Sequence, residues 1–390
     1  MQPTDTSGGP ILSPRALGDV NRSRILQTLV DHGPLSRAEL SRFANVTRAT
    51  IGNIVGSLLE AGVLEEGDIV PGLVGKPARP LWFSRTGALS AVVSMEEHGL
   101  EAALVDATGG IVAQHAEDYA STSEDDLRAA VLRSLERVAS QRGESDLLGI
   151  GIAVPAMCLS SGEVAASSIL PALQGTWLRD LVADTYDVPV AVDTDARAQA
   201  MAEKWFGQGR GLRAFAAVRV GEGIGAGVVL NGTVFRADQG IGAEFGHTVV
   251  VQHGGLPCKC GRSGCWETVA GTDWLRGEGA RRGLPDAESL DCATLVSRTD
   301  TAELLADYAD NLAVGIANLM HVYHPQLVVL NGDVRNGGET LRAAVEAAFQ
   351  QRAVPLVSGD ARVVLSELDG LASLQGAAAM VLSARYQLAV

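Results

Sequence analysis

The stretch Cys258-Lys259-Cys260-Gly261-Arg262-Ser263-Gly264-Cys265 constrains this 390-residue chain more than any other. Three of its five cysteines fall within eight residues, and His247 lies eleven positions upstream. The glycines between the cysteines permit a tight knuckle. Five cysteines are too few for a disulfide scaffold, so a cluster of them reads as metal or redox chemistry. Three thiolates and one imidazole make a closed tetrahedral set, the arrangement of a structural zinc. His247, Cys258, Cys260 and Cys265 are therefore the predicted ligands of one Zn2+ per chain. Two other readings stand beside it: a Cys258/Cys260 redox pair, although such pairs favour two intervening residues, and reduced thiols without a ligand. Cys158 and Cys292 are isolated and fit plain core positions.

The formal charge of −15 argues at first against nucleic acid, because binding DNA means neutralising phosphates. The charge is not even, however. Residues 1–86 hold nine Lys/Arg and eight Asp/Glu, a net of +1, so the remaining residues carry −16. The split implies two parts with different partners. Hydrophobic content of 46% excludes wholesale disorder, and the length suits two or three domains of ~150 residues. No apolar run approaches the ~18–20 residues that cross a bilayer. The start, MQPTDTSGGPILSP, lacks the basic-then-apolar layout of a signal peptide. A soluble, cytoplasmic protein with no membrane partner is expected, with residues 1–14 disordered.

Residues 15–86 read as a winged helix-turn-helix. In residues 17–31, Leu17, Val20, Ile25 and Leu29 fall near helical spacing, and His32-Gly33-Pro34 ends that helix. Ser36-Arg37-Ala38-Glu39 fits a capping box, opening a short helix with Leu40 and Phe43 inward. Ala44-Asn45-Val46 leads to a third helix capped by Thr47, with Ile51, Ile54, Val55 and Leu58 as its buried stripe and Gly62 as its stop. Helix, short turn, helix is the pattern that lays its second helix in the major groove. The outward face of the third helix offers Arg48, Ala49, Thr50, Gly52 and Asn53. Small residues allow close approach, while Arg and Asn suit guanine and adenine. Two short strands, at Val63-Leu64-Glu65 and Leu81-Trp82-Phe83, flank a Gly/Pro tip with Lys76 and Arg79, as a phosphate-gripping wing would. Thr47, Arg48, Thr50, Asn53, Lys76 and Arg79 are the candidate DNA contacts. One such head makes few contacts, so a symmetric homo-oligomer on a palindromic operator is expected. A three-helix protein-interaction module is the alternative.

Past Gly87, short β-rich runs alternate with helices, which points to α/β lobes with mixed sheets. Strands are predicted at 91–94, 102–105, 111–114, 148–154, 188–192, 214–220, 226–230, 327–330 and 363–365. Helices are predicted at 125–141, 196–206, 302–322 and 338–351. The knuckle draws Glu244, His247 and Glu267 into one place. Carboxylates pair well with vicinal hydroxyls, so a sugar or polyol is a natural guest, although each acid alone reads equally as a solvated surface residue or a cap.

Glu244-Phe245-Gly246-His247 followed by Cys258 through Glu267 resembles the signature of the ROK family (repressors, open reading frames and kinases). The resemblance runs from the Asn21-Arg22 helix through Gly370–Ala379 and is to the transcriptional-regulator branch, whose members are most often repressors. It implies a two-lobed actin/hexokinase-like (ribonuclease H-like) body. The smaller lobe would span 87–194 plus 370–390, and the larger 195–369 with the zinc knuckle. It also implies a sugar or sugar-derivative effector at Thr194, Asp195, Glu244, His247 and Glu267, with Asp195 matching the base of the family's sugar kinases.

A kinase must also hold a phosphate donor in line. Where family kinases carry an Asp-x-Gly-Gly-Thr-like loop, this chain reads Ser94-Met95-Glu96-Glu97-His98-Gly99, with acids that would repel ATP. Glu222 stands for a Thr in Gly221–Gly227, whose glycines read as a tight turn between strands, and Asn331-Gly332 replaces a late Gly-Gly. Asn has also become Thr194, and Ala156 stands where a Gly is expected. The expectation is a sugar-responsive regulator without catalytic activity, with an ATP-dependent sugar kinase carrying a DNA-binding head as the alternative.

Overall fold

The structure, a computed structural model, describes residues 14–68, 79–359, 361–368 and 370–389. The head begins with α1 (Pro14–His32), α2 (Arg37–Phe43) and α3 (Arg48–Glu60). Ser36 caps α2 as expected: its hydroxyl accepts from the Glu39 N–H, and the Glu39 carboxylate accepts from the Ser36 N–H at 2.9 Å. Asn45 takes a left-handed φ of 53°, which closes the short link to Thr47, the cap of α3. Strands β1 (Leu64–Glu66) and β2 (Leu81–Phe83) then pair antiparallel. The predicted disorder of residues 1–14 falls outside the described residues except at Pro14, which opens α1. Lys76 also lies outside them.

Three expected core positions are corrected. Leu17 and Val20 are 48% and 44% exposed, because α1 buries Ile25, Leu26, Leu29 and Val30 while its first half runs past the head. Phe43, 46% exposed, stacks on His32 at 4.4 Å instead of facing inward beside Leu40.

The body holds two five-stranded mixed sheets. In the first, β3 (Ala88–Met95), β4 (Gly99–Asp106) and β5 (Ile111–Asp118) form an antiparallel meander. Helix α4 (Glu124–Ala139) leads to β6 (Asp146–Val154), parallel to β3. A small hairpin, β7 (Met157–Cys158) with β8 (Val164–Ala166), and α5 (Leu178–Ala183) precede β9 (Val190–Thr194), parallel to β6. The chain then enters α6 (Asp195–Trp205), and the second sheet repeats the scheme. Strands β10 (Phe215–Val220), β11 (Ile224–Leu230) and β12 (Thr233–Val234) form its meander. After α7 (Glu267–Ala270), α8 (Thr272–Arg281), α9 (Cys292–Ser297) and α10 (Ala302–Tyr323) comes β13 (Leu327–Gly332), parallel to β10. Helices α11 (Gly338–Arg352) and α12 (Pro355–Ser358) lead to β14 (Arg362–Leu365), parallel to β13, and α13 (Ala372–Tyr386) ends the fold. Among the described residues no helix is long and apolar enough to cross a membrane.

Helices α6 and α13 lie against each other between the sheets. Gly376 of α13 approaches α6 so closely that a Cβ there would overlap the Ala198 carbonyl. Alanine lines both sides, at Ala198, Ala200 and Ala202 on α6 and at Ala377, Ala378 and Ala379 on α13, all buried. The β9–α6 corner is pinned by a buried ion network. Asp193 accepts from Arg197 Nε at 2.6 Å and from Arg236 at 2.7 Å, and Arg197 donates onward to the Gly240 and Cys158 carbonyls. Each charge is thus paired where it is removed from water, as burial demands.

Gly376→Ala is expected to destabilise the chain by about 1–3 kcal/mol, the usual cost of overpacking a filled core. Urea unfolding reads it as a lowered midpoint; an unchanged midpoint would contradict the close helix contact.

Candidate functional site

The cysteine knuckle is built by local pairing. Val249 bridges Cys265 and Pro257 bridges Ser263, while the Cys258 N–H donates to the Arg262 carbonyl at 2.8 Å. Gly264, at φ 76°, sits where any side chain would overlap the Val251 carbonyl, so the turn requires glycine there. This folding gathers one donor atom each from His247, Cys258, Cys260 and Cys265 within 4.8 Å of one another. Cys258 Sγ lies 3.5 Å from His247 Nδ1, and Cys260 Sγ 3.7 Å from Cys265 Sγ. Around a tetrahedral metal with bonds of ~2.3 Å to sulfur and ~2.0 Å to nitrogen, those edges would be about 3.5 and 3.8 Å. The four predicted ligands therefore form a set that could hold a metal ion. Burial, and then the hydrogen bond to Glu267, push the Cys258 thiol up.

Glu267, the first residue of α7, connects this knuckle to the cleft between the sheets. Its Oε1 lies 2.8 Å from Cys258 Sγ and 3.3 Å from His247 Nδ1. Asp195 is the first residue of α6; Oδ1 accepts from the Ala196 N–H, and Oδ2 lies 4.0 Å from Arg219. Glu244 follows Ala243, a residue at φ 64°. Burial, then the negative charges of Asp195 and Glu267, hold the Glu244 carboxyl above the ordinary range against the pull of His247 and Arg197. Asp195, His247 and Glu267 are thus near enough to Glu244 to act on its charge. Asp195 and Glu267 line a cleft of about 1030 Å³, whereas Glu244 and His247 are outside its lining. Thr194 plays a different part. It is buried, and its hydroxyl oxygen caps α6 by accepting from the Arg197 N–H at 3.2 Å.

In the same cleft, Glu97 on the β3–β4 turn meets Glu222 on the β10–β11 turn. Their hydrogen-bonded carboxyl groups hold Glu97 below and Glu222 above the usual carboxylate range. Lys259 reaches Glu97 at 3.5 Å, and Arg276 reaches Glu222 at 3.7 Å. Gly221 and Gly223 make the tight β10–β11 turn, with the Gly221 N–H donating to the Gly223 carbonyl.

The Asp193, Arg197 and Arg236 network escaped sequence reasoning. Its local signal is the four-residue spacing of Asp193 and Arg197 across the strand–helix junction; Arg236 carries no such signal. On the head, Thr47, Arg48 and Asn53 are exposed, Thr50 is half-buried with its hydroxyl 2.9 Å from that of Thr47, and Arg79 is exposed beyond β1.

Comparison with known proteins places this architecture. The xylose repressor of Caldicellulosiruptor bescii is 25% identical over 394 residues, covering 94% of this chain and 96% of the relative. A glucokinase of Halalkalibacterium halodurans is 30% identical over 255 residues, covering 60% of this chain and 76% of the relative. In fold, the chain matches the crystal structure of a ROK-family transcriptional regulator, a homologue of the Escherichia coli MLC protein. The TM-score is 0.78 at 24% identity, over 95% of this chain and 98% of that one. The ROK family model itself matches residues 92–384 of the 390, and the chain belongs to the ROK family.

Proposed function

We propose that this chain is a cytoplasmic, sugar-responsive transcriptional regulator, acting as a repressor. In this reading residues 15–86 bind operator DNA, and residues 87–194 with 370–390 and residues 195–369 form two lobes around a sugar. One observation carries it: a capped helix-turn-helix with Arg48 and Asn53 outward is joined to a cleft where carboxylates converge on a metal-binding knuckle. The match to the xylose repressor along 94% of the chain, head included, supports it.

Asp195 and Glu267 accept hydrogen bonds from the sugar's hydroxyl groups. Glu244, held toward its protonated form, completes the acidic set with His247. Thr194 contributes through its backbone and its O–H, since its oxygen already caps α6. His247 Nδ1 faces the knuckle, so Nε2 is the nitrogen left for the ligand. Zinc in the His247, Cys258, Cys260 and Cys265 set supplies the positive charge that the thiolates need and fixes the imidazole orientation. Thr47, Arg48, Thr50, Asn53, Lys76 and Arg79 contact DNA, and paired heads in a homo-oligomer engage the two halves of a palindromic site. Glu97 and Glu222 occupy the side where a kinase would cradle phosphates. Their negative charge opposes ATP, so the reading includes no phosphoryl transfer.

Sugar kinase activity is the second reading, favoured by the 30% identity to a glucokinase. Two measurements decide. Genomic DNA selection with the purified protein is expected to enrich one palindromic sequence, released by D-xylose, D-glucose or N-acetylglucosamine. A coupled ADP assay with the same sugars is expected to show no turnover; ADP formation abolished by Asp195→Asn would establish the kinase instead. Elemental analysis is expected to find about one zinc per chain. Cys260→Ser is expected to lose both the metal and the sugar response, and retention of both would break the link between knuckle and cleft.

A further inference from the structure

Each helix of the central pair packs on a different sheet, although α6 starts directly from β9 of the first. Helix α6 rides on β11, where Gly227 lies so near that a Cβ would come within 2.6 Å of the Ala200 Cβ. Helix α13 rides on β6, where a Cβ on Gly151 would come within 3.1 Å of the Ala377 Cβ. With the β9–α6 corner held by Asp193 and Arg197, a change in the angle between the two sheets swings α6 about that corner and shifts its far end against α13. Packed helices accept such shifts as discrete movements of ~1–2 Å rather than by deforming.

The head grips the same end of both helices. On the α6 side, Asp31 of α1 binds Lys204 Nζ at 3.2 Å, and the Lys204 side chain is only 3% exposed. On the α13 side, the Ser23 hydroxyl donates to the Tyr386 carbonyl, and the Ala389 N–H donates to Gln27 Oε1, each at 2.9 Å. Phe83 of β2 sits over the seam, its ring 5.4 Å from Trp205 of α6 and 6.3 Å from Tyr386 of α13. The core is continuous across this junction, running from Ile25 and Phe83 into Trp205 and Leu382.

We infer that α1 and Phe83 of the head read the position of α6 against α13, with the pair of buried Lys204 and partly exposed Asp31 as the link that obliges the head to follow α6. The inference rests on the proposed sugar-responsive function and names the route of its response. Asp195 stands at the first turn of α6 and Lys204 in its last, about 14 Å apart along a rigid helix. A ligand that pulls Asp195 toward Glu267 moves Lys204 with it. Were α1 to stay behind, a buried ammonium would lose its partner, which is far costlier than losing a surface ion pair. Ser23 and Gln27 hold α1 to the other helix, so movement at one anchor alone turns α1 and reorients the head. Lys204 and Asp31 are positioning residues in this scheme and touch neither sugar nor DNA.

Hydrogen–deuterium exchange on the full chain tests it, with wild type and Lys204→Met each measured with and without D-xylose, D-glucose and N-acetylglucosamine. Asp31→Asn, at a partly exposed position, serves if Lys204→Met does not fold. In wild type the effective sugar is expected to slow exchange at the cleft turns, residues 94–101 and 221–223, and to change exchange in α1. In Lys204→Met the cleft protection is expected to persist while the change in α1 is lost. A change in α1 that persists in the variant, or wild-type cleft protection with no change in α1, overturns the inference and leaves sugar binding intact. If no sugar protects the wild-type cleft, the sugar reading fails, and the sugar-free comparison decides the coupling. Faster exchange in both α1 and the cleft turns of the variant supports it, and faster exchange in α1 alone overturns it.

Discussion

The contact of α6 with α13 is the constraint on which the rest of the molecule depends. Alanine along both helices and Gly376 on α13 bring their backbones together, and each helix also closes the core of one sheet. The seam therefore serves three regions at once. It joins the two sheets, it carries Asp195 into the cleft at one end, and it supports the head at the other. Larger side chains would have filled the same space with a looser, more tolerant contact. Small ones make the two helices sensitive to each other, because an interface packed at crystal density has few intermediate arrangements.

Charge is arranged around this seam with equal economy. The Asp193, Arg197 and Arg236 network fixes the corner from which α6 departs, leaving Asp195 as the acidic group that faces the cleft. Glu267 stands between the cleft and the cysteines, so the position of the knuckle sets the position of a cleft carboxylate. Glu97 and Glu222 meet beside the knuckle, each drawn by a cation, Lys259 or Arg276. The −15 charge belongs to the body, since residues 1–86 carry a net of +1 and the remainder −16.

Much of this was legible in the sequence because the relevant signals are local. Ser36 and Glu39 mark a helix start by chemistry confined to four residues, and the knuckle declares itself by cysteine spacing. The alternation of strands and helices placed the sheet strands to within a few residues, since buried strands read as apolar runs. What escaped depends on distant partners. Leu17 and Val20 obey helical spacing, yet each is left nearly half exposed. Phe43 fits an inward position, but its ring finds His32 and Arg42 at the surface. The alanine-rich run of α13 has little amphipathic pattern, because it is buried on nearly every side. Arg236 and Lys204 meet their carboxylate partners 43 and 173 residues away, a relation that no local pattern announces.

Thermodynamic linkage offers the most direct measurement of whether cleft and head are one system. Sugar is titrated calorimetrically into the protein alone and into the protein saturated with its selected operator. Coupling through the seam requires that the operator weaken sugar binding by the same factor by which sugar weakens operator binding, since the two effects are one free energy. Equal sugar affinity with and without operator, for a sugar that binds the free protein, would contradict the account.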